Sequence, residues 1–370
     1  MIPPVRSLAA AALGALLLTP ALTGVAHAAP SKVMTVPMAK TETEMKKVAE
    51  YWRPERLKAA DSYTPATPAG KAPAPTSTAA GSSGASRGSG GISMPAAALK
   101  AKKATTAPGD VAPALPKGAA TAKTIGKVFF LFHNKEFWCT ASAVASKSKS
   151  VVATAGHCAY DPREPGEAKN WIFVPNPGPD GTTPDGIYVG ASLSLHEDWA
   201  GKGDYDFDYA FVTVHRGFTW EKQKDGSLTM KDVGKLQDNT GGQGLAISKG
   251  YGQRINAFGY PAGPQPDGSR PFNGKSLEAC QGGTSKTTAP TRELQYGVLL
   301  QPCNMTAGAS GGPWLWKYQS GTKLGYLNGV NSLTWNRDAR GAFDAVSAPP
   351  FIATTAEVYR QADAQAGSEK

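Results

Sequence analysis

Beyond Ala28 the chain has no run of about 18 consecutive apolar residues, the length needed for a helix to cross a bilayer. No fixed-period repeat occurs, which removes solenoids and propellers. Gly and Pro together make up 71 of 370 residues, below the roughly 25–30% of a wholly low-complexity chain. Collagen-like and fully disordered readings are thereby excluded. Apolar residues are also few, at 41%, as expected if an ordered part with a core is joined to a stretch without one. The length suggests two or three units.

The N-terminus carries the first of these. Arg6 precedes an apolar run from Leu8 to Val25, interrupted by Pro20 and closed by Ala26-His27-Ala28. A positive start, a short apolar core and an A-x-A site describe a secretory signal peptide over 1–28. The mature protein is then expected to be secreted, extracellular and without stable membrane insertion. Residues 29–60 read as a pro-segment. Its stretch Thr41–Ala60 has helical composition, with Met45, Val48 and Trp52 sharing one face, and Pro54 limits or kinks that helix.

Residues 61–122 read as a disordered linker: from Asp61 to Ala120, 46 of 60 residues are Ala, Gly, Pro, Ser or Thr, and Tyr63 is the single aromatic. Such a segment buries too little apolar surface to offset its ordering entropy. Most of the chain's +10 charge lies in 29–122, which carries +7, whereas 123–370 carries +2. The basic excess therefore marks a solvated leader and no nucleic-acid partner, although such a leader could tether a precursor to an anionic envelope surface.

From Lys123 onward, short apolar runs alternate with Gly, Pro, Asn and Asp. Val128–Phe132, Trp138–Val144, Val151–Thr154, Trp171–Val174, Ile187–Val189, Tyr209–Val214, Ile255–Tyr260, Leu294–Leu300 and Leu324–Val330 read as strands, with turn signals between several of them. Helical periodicity is nearly absent until Phe351–Ala366. Residues 123–370 are thus expected to form an all-β domain, a sandwich or a pair of barrels, with a C-terminal helix.

The chemistry begins at Gly308-Ala309-Ser310-Gly311-Gly312-Pro313, where glycines allow a sharp turn around a serine. A nucleophilic serine needs a base, an orienting acid and an oxyanion site. The five histidines are His27, His133, His157, His196 and His215. None follows Ser310, so the order serine, acid, histidine cannot be assembled. With His157 as base, an aspartate placed earlier would have to be Asp61 or Asp110, in or beside the linker. The order His, Asp, Ser remains.

His157 ends the apolar strand Val151–Thr154 and is followed by Cys158, which can anchor it. Asp208 heads the strand Tyr209–Val214 and is the favoured acid, with Asp206 in reserve; otherwise Asp204 and Asp206 read as a solvated acidic loop. Asp204, Asp206 and Asp208 do not make an EF-hand, because Tyr209 and His215 occupy the Gly and Glu positions. Four cysteines allow three connectivities. Local pairing, Cys139–Cys158 and Cys280–Cys303, is the choice for an exported protein. A zinc site of Cys139, His157 and Cys158 is the alternative, at a spacing that fits no familiar metal pattern.

TAGHC at 154–158, DYAFV at 208–212 and GASGGP at 308–313 together resemble the signatures of the chymotrypsin-like serine peptidases, in the right order. The flanks Cys303–Thr306 and Leu327–Ser332 are most similar to the exported bacterial branch that includes glutamyl endopeptidases. The resemblance implies two antiparallel six-stranded β-barrels with the active site between them. It assigns His157 as base and then acid, Asp208 as the residue fixing its tautomer, and Ser310 as nucleophile, with the N–H groups of Gly308 and Ser310 as oxyanion hole. It also places Asn304, Asn331 and Ser332 at the substrate pocket, with Ser332 supporting Asp208.

Two departures stand out. Ala309 replaces the aspartate that receives a new N-terminal ammonium in animal-type members, so removal of a leader must act by unblocking the cleft or through other contacts. The cleavage point is expected at 121–126. Asn304 at the pocket floor lacks the charge that pairs with Arg or Lys, and Asn331 stands where glutamyl endopeptidases usually carry histidine. The expected function is a secreted serine endopeptidase, a monomer acting on protein or peptide substrates with no metal or organic cofactor. A binding homologue would normally have lost one of the three residues, and an exported esterase would use the same ones.

Overall fold

A computed structural model describes residues 32–60, 92–97, 122–338 and 340–365. The expected signal peptide and most of the expected linker, 61–91 and 98–121, lie outside the described residues. No helix among the described residues is long and apolar enough to cross a membrane.

The described chain opens with strand β1 (Val33–Pro37) and helices α1 (Glu42–Tyr51) and α2 (Pro54–Ala60). Thr41 caps α1: its hydroxyl accepts the Glu44 N–H, and the Glu44 carboxylate accepts the Thr41 N–H in return, satisfying two orphan donors. The helical stretch breaks after Tyr51, and Pro54 opens α2, where its missing N–H costs nothing. Within the stretch read as linker, residues 92–97 are described and include strand β2 (Ile92–Met94).

The first barrel contains β3 (Ile125–Phe132), β4 (Lys135–Val144), β5 (Val151–Thr154), β8 (Lys169–Pro175), β9 (Tyr188–His196) and β10 (Ala210–Val214), with a two-residue ribbon, β6 (Tyr160–Asp161) and β7 (Gly166–Glu167), ahead of β8. Its order is β9-β10-β5-β4-β3-β8, and β8 pairs again with β9, closing six antiparallel strands. β3 is buried along nearly its whole length, which explains its continuous apolar run. It turns into β4 through His133 and Asn134, both at positive φ, the two-residue turn that matches strand twist. β1 adds a further strand outside β9. Helix α3 (Glu197–Lys202) follows β9.

The hairpin β11 (Gly217–Lys222) and β12 (Leu228–Gly234), helix α4 (Leu236–Thr240) and β13 (Gly244–Ala246) lead to the second unit. That unit comprises β14 (Arg254–Gly259), β15 (Glu278–Ala289), β16 (Leu294–Leu300), β17 (Pro313–Gln319), β18 (Leu324–Val330), β19 (Leu333–Trp335) and β20 (Ala345–Ala348).

The second unit differs from a closed ladder of six. Its seven strands, with β13 and β2 added at one edge, form a nine-stranded sheet in the order β19-β20-β16-β15-β14-β17-β18-β13-β2. Asn331 and Ser332 alone separate β18 from β19, so one bent strand pairs with β17 through its first half and with β20 through its second. At that bend the Ser332 N–H donates to the Ser347 carbonyl at 2.9 Å. The chain ends in helix α5 (Ala353–Gln365), whose Tyr359 hydroxyl donates to the Ala145 carbonyl at 2.7 Å.

Candidate active site

The end of β5 runs into a tight turn at Gly156–Cys158, and a disulfide joins Cys158 to Cys139 on β4. His157 is thereby held on both sides. Its backbone N–H donates to Asp208 Oδ1 at 2.8 Å, and its Nδ1 lies 2.9 Å from Oδ2 and 3.1 Å from Oδ1. An ionised carboxylate can only accept, so Nδ1 carries the proton and Nε2 keeps its lone pair. Nε2 is buried and has no hydrogen-bond partner among the described residues. Asp208, just ahead of β10, is fully buried, and the Ser332 hydroxyl donates to its Oδ2 at 2.6 Å.

The Ser310 loop is pinned against this arrangement from the first barrel. Thr140 does most of the work: its N–H donates to the Ser310 carbonyl at 2.8 Å, and its hydroxyl donates to the Gly308 carbonyl at 2.8 Å. That hydroxyl also accepts the Tyr260 N–H at 3.0 Å. Thr154, at the end of β5, donates its hydroxyl to the Thr140 carbonyl at 2.9 Å. Gly308 and Gly311 sit at φ of 101° and 78°, where a side chain is strained. A Cβ on Gly311 would collide with Thr154 Oγ1 and the Thr140 carbonyl, which places the loop against the strand end that carries His157.

The remaining N–H groups of the loop divide cleanly. Those of Ala309, Gly311 and Gly312 donate to the carbonyls of Thr306, Asn331 and Ala309. Those of Gly308 and Ser310 make no hydrogen bond to another described residue. Two unspent donors flanking a serine are what an oxyanion would need.

The three residues named for the substrate pocket occupy different settings. Asn304 is exposed, and its carbonyl accepts from Gln265 Nε2 at 2.9 Å. Asn331 is 1% exposed; its amide donates to the carbonyls of Phe258 and Ala309 at 2.8 and 2.9 Å and accepts from Trp314 Nε1 at 2.7 Å. With donors and acceptor all spent, Asn331 braces the floor of the Ser310 loop and offers nothing to a ligand. Ser332 is buried, with its hydroxyl spent on Asp208.

Asp204 and Asp206 are not a solvated acidic loop. The Asp206 carboxylate accepts the N–H groups of Gln295 and Tyr296 at 3.0 and 2.9 Å, tying this turn to the start of β16, and burial pushes its carboxyl up. Asp204 accepts the Asp206 N–H at 2.9 Å, and burial pushes it up to about 6.

The other histidines lie elsewhere. His196 is fully buried, stacked 3.8 Å from the Phe207 ring, and burial lowers its pKa. His215 donates from Nε2 to the Ala39 carbonyl at 2.5 Å. His133 stands between Asp161 and Glu164. Beside His157 opens a cleft of about 640 Å³, walled by Phe132, Phe137, Tyr160, Trp199 and Tyr205.

Both disulfides follow the local pairing, Cys139–Cys158 and Cys280–Cys303. Cys139, His157 and Cys158 do cluster. Both sulfurs are bonded to each other, however, so the zinc alternative loses its thiolate ligands. Thr140 gave no sequence signal, because its partners lie 120 and 168 residues away.

No protein-family model and no curated protein matches the chain. Solved structures do. The thermostable serine protease AL20 from an extremophilic microorganism is 30% identical over 66% of this chain and 98% of its own, with a TM-score of 0.53. Protease Anisep from Arthrobacter nicotinovorans is also 30% identical, over 66% of this chain and 96% of its own, with a TM-score of 0.53. The chain belongs to the chymotrypsin-like serine proteases.

Proposed function

We propose that the protein is an exported serine endopeptidase that cuts peptide bonds through a covalent acyl-enzyme on Ser310. The observation that supports this best is the His157–Asp208 pair, in which Nδ1 is engaged by the buried carboxylate and Nε2 is left without a partner among the described residues. His157 Nε2 takes the Ser310 proton as the oxygen attacks the scissile carbonyl. Asp208 holds the tautomer and stabilises the imidazolium that forms. The N–H groups of Gly308 and Ser310 bind the oxyanion. The imidazolium then protonates the leaving amine, and water, activated by the same base, releases the acyl group. Every step uses side-chain and backbone atoms of this chain.

Residues 1–28 act as the export signal, and two disulfides suit an oxidising compartment. A neutral floor at Asn304 favours polar or uncharged side chains over Lys or Arg at the cleavage site.

The test is labelling by a fluorophosphonate, with digestion of a peptide library. Wild type takes one label on Ser310 and cuts peptides. Ser310→Ala takes none, and His157→Ala labels at least a hundredfold more slowly. Absence of label on the folded wild-type chain would overturn the reading, and label without peptide cleavage would point to an esterase.

A further inference from the structure

A leader that is discarded must leave behind a surface able to stand in water. Residues 32–60 do not meet that condition. β1 lies antiparallel to β9 over five register pairs, Val33 opposite His196 through Pro37 opposite Ser192. The ladder continues beyond the strand at both ends: the Glu197 N–H donates to the Lys32 carbonyl at 2.9 Å, and the N–H groups of Met38 and Ala39 donate to the carbonyls of Ala191 and Gly190 at 3.0 and 3.1 Å. The Ala39 carbonyl in turn accepts from His215.

The helices go deeper still. Trp52, between α1 and α2, has no exposed surface; its indole N–H donates to the Asn170 carbonyl on β8 at 2.5 Å, and its ring lies 5.9 Å from Phe129 of β3. Ala49, Leu57 and Ala60 join the same buried cluster as the interior of the first barrel. Tyr51 adds a hydrogen bond of 2.6 Å to Glu136 on β4. Removing the segment would open a slot the size of an indole and uncover backbone donors and acceptors along β9, an exposed edge of the kind folded proteins avoid. None of these residues lines the cleft beside His157.

We infer that residues 32–60 are a permanent outer wall of the first barrel, kept by the working protein, and that a cut anywhere between 61 and 91 leaves them bound as a separate, non-covalent chain. The segment therefore neither plugs the cleft nor needs to leave it. This inference concerns retention and stands apart from the chemistry proposed for Ser310.

The experiment uses the full chain with a recognition sequence for a site-specific protease placed between 61 and 91. After cutting, native gel filtration with mass spectrometry follows the 32–60 fragment, and fluorophosphonate labelling follows Ser310. The fragment is expected to co-elute in equal amount with the remainder until denaturant is added, and the labelling rate is expected to stay within about twofold of the uncut chain. A fragment that separates under native conditions from a remainder that stays folded would overturn the inference, as would a labelling rate that rises tenfold or more on its loss. If Ser310 takes no label before or after cutting, the protease chemistry fails while co-elution still decides retention. Trp52→Ala, cut in the same way, is expected to release the fragment; full retention by that folded variant would count against the proposed anchor.

Discussion

Replacing Thr140 with Val removes one oxygen and leaves the side chain's shape nearly unchanged. That oxygen bridges the two halves of the molecule, donating to the Gly308 carbonyl and accepting the Tyr260 N–H, and Thr140 itself is wholly buried. Water cannot easily replace either bond. A buried group left without its partner costs about 1–3 kcal/mol, so two orphaned groups should cost about 2–4 kcal/mol after some relaxation. For a domain of this size each kcal/mol lowers Tm by about 2–4 °C, which gives a fall of about 5–15 °C in a calorimetric scan.

The kinetic signature separates this residue from an ordinary core contact. The lost bond holds the peptide at Gly308, whose N–H is one of two donors assigned to the oxyanion, and a missing donor costs about 10²–10³ in kcat. A displaced donor should cost less, about 10–10² in kcat with KM nearly constant, and binding of a boronate transition-state analogue should weaken in proportion. If the variant loses the stability but keeps kcat within twofold, Thr140 holds the fold together without aligning the donor, and the reasoning is wrong.

Asp208→Asn should lower kcat by about 10⁴ while the fold persists, because an amide can donate to Nδ1 and so favour the wrong tautomer; steady-state kinetics on a peptide substrate will tell. Asp204 has a folded pKa raised to about 6 by burial. Its folded form therefore binds protons more readily than the unfolded one, and its contribution to stability improves as pH falls from above 6 toward 4. Asp204→Asn should raise Tm at pH 7.5 and leave it little changed at pH 4. Replacing Cys280 and Cys303 together by Ser should cost about 2–5 kcal/mol in urea unfolding, with smaller effects on kcat than the loss of Thr140, because this bridge joins β15 to the segment after β16.

How much of this could be read beforehand depends on where the information sits. Strands buried on both faces announce themselves: the apolar runs of β5 and β10 mark strands nearly residue for residue, and that of β3 marks its last five residues. β15 is as long as any of them, but its sequence EACQGGTSKTTA has an exposed face and few apolar residues, so nothing separates it from a loop. β17 was hidden behind the glycine-rich motif that it follows. His157, Asp208 and Ser310 can be singled out in the sequence because each stands at a local landmark, a strand end or a turn. The roles of Thr140 and Asn331 cannot, since each is defined by partners in other strands, and a lone Thr or Asn carries no period and no motif. β1 was missed for a similar reason: five residues of VMTVP become a strand through the β9 edge they complete.

One covalent bond touches both halves of the machinery. Cys139 immediately precedes the threonine that clamps the Ser310 loop, and Cys158 immediately follows the imidazole. As thiols, the two cysteines would leave base and clamp free to drift independently. Oxidation fixes both together, so the turn that carries His157 and the threonine that clamps the Ser310 loop gain a common fastening only when the bridge closes.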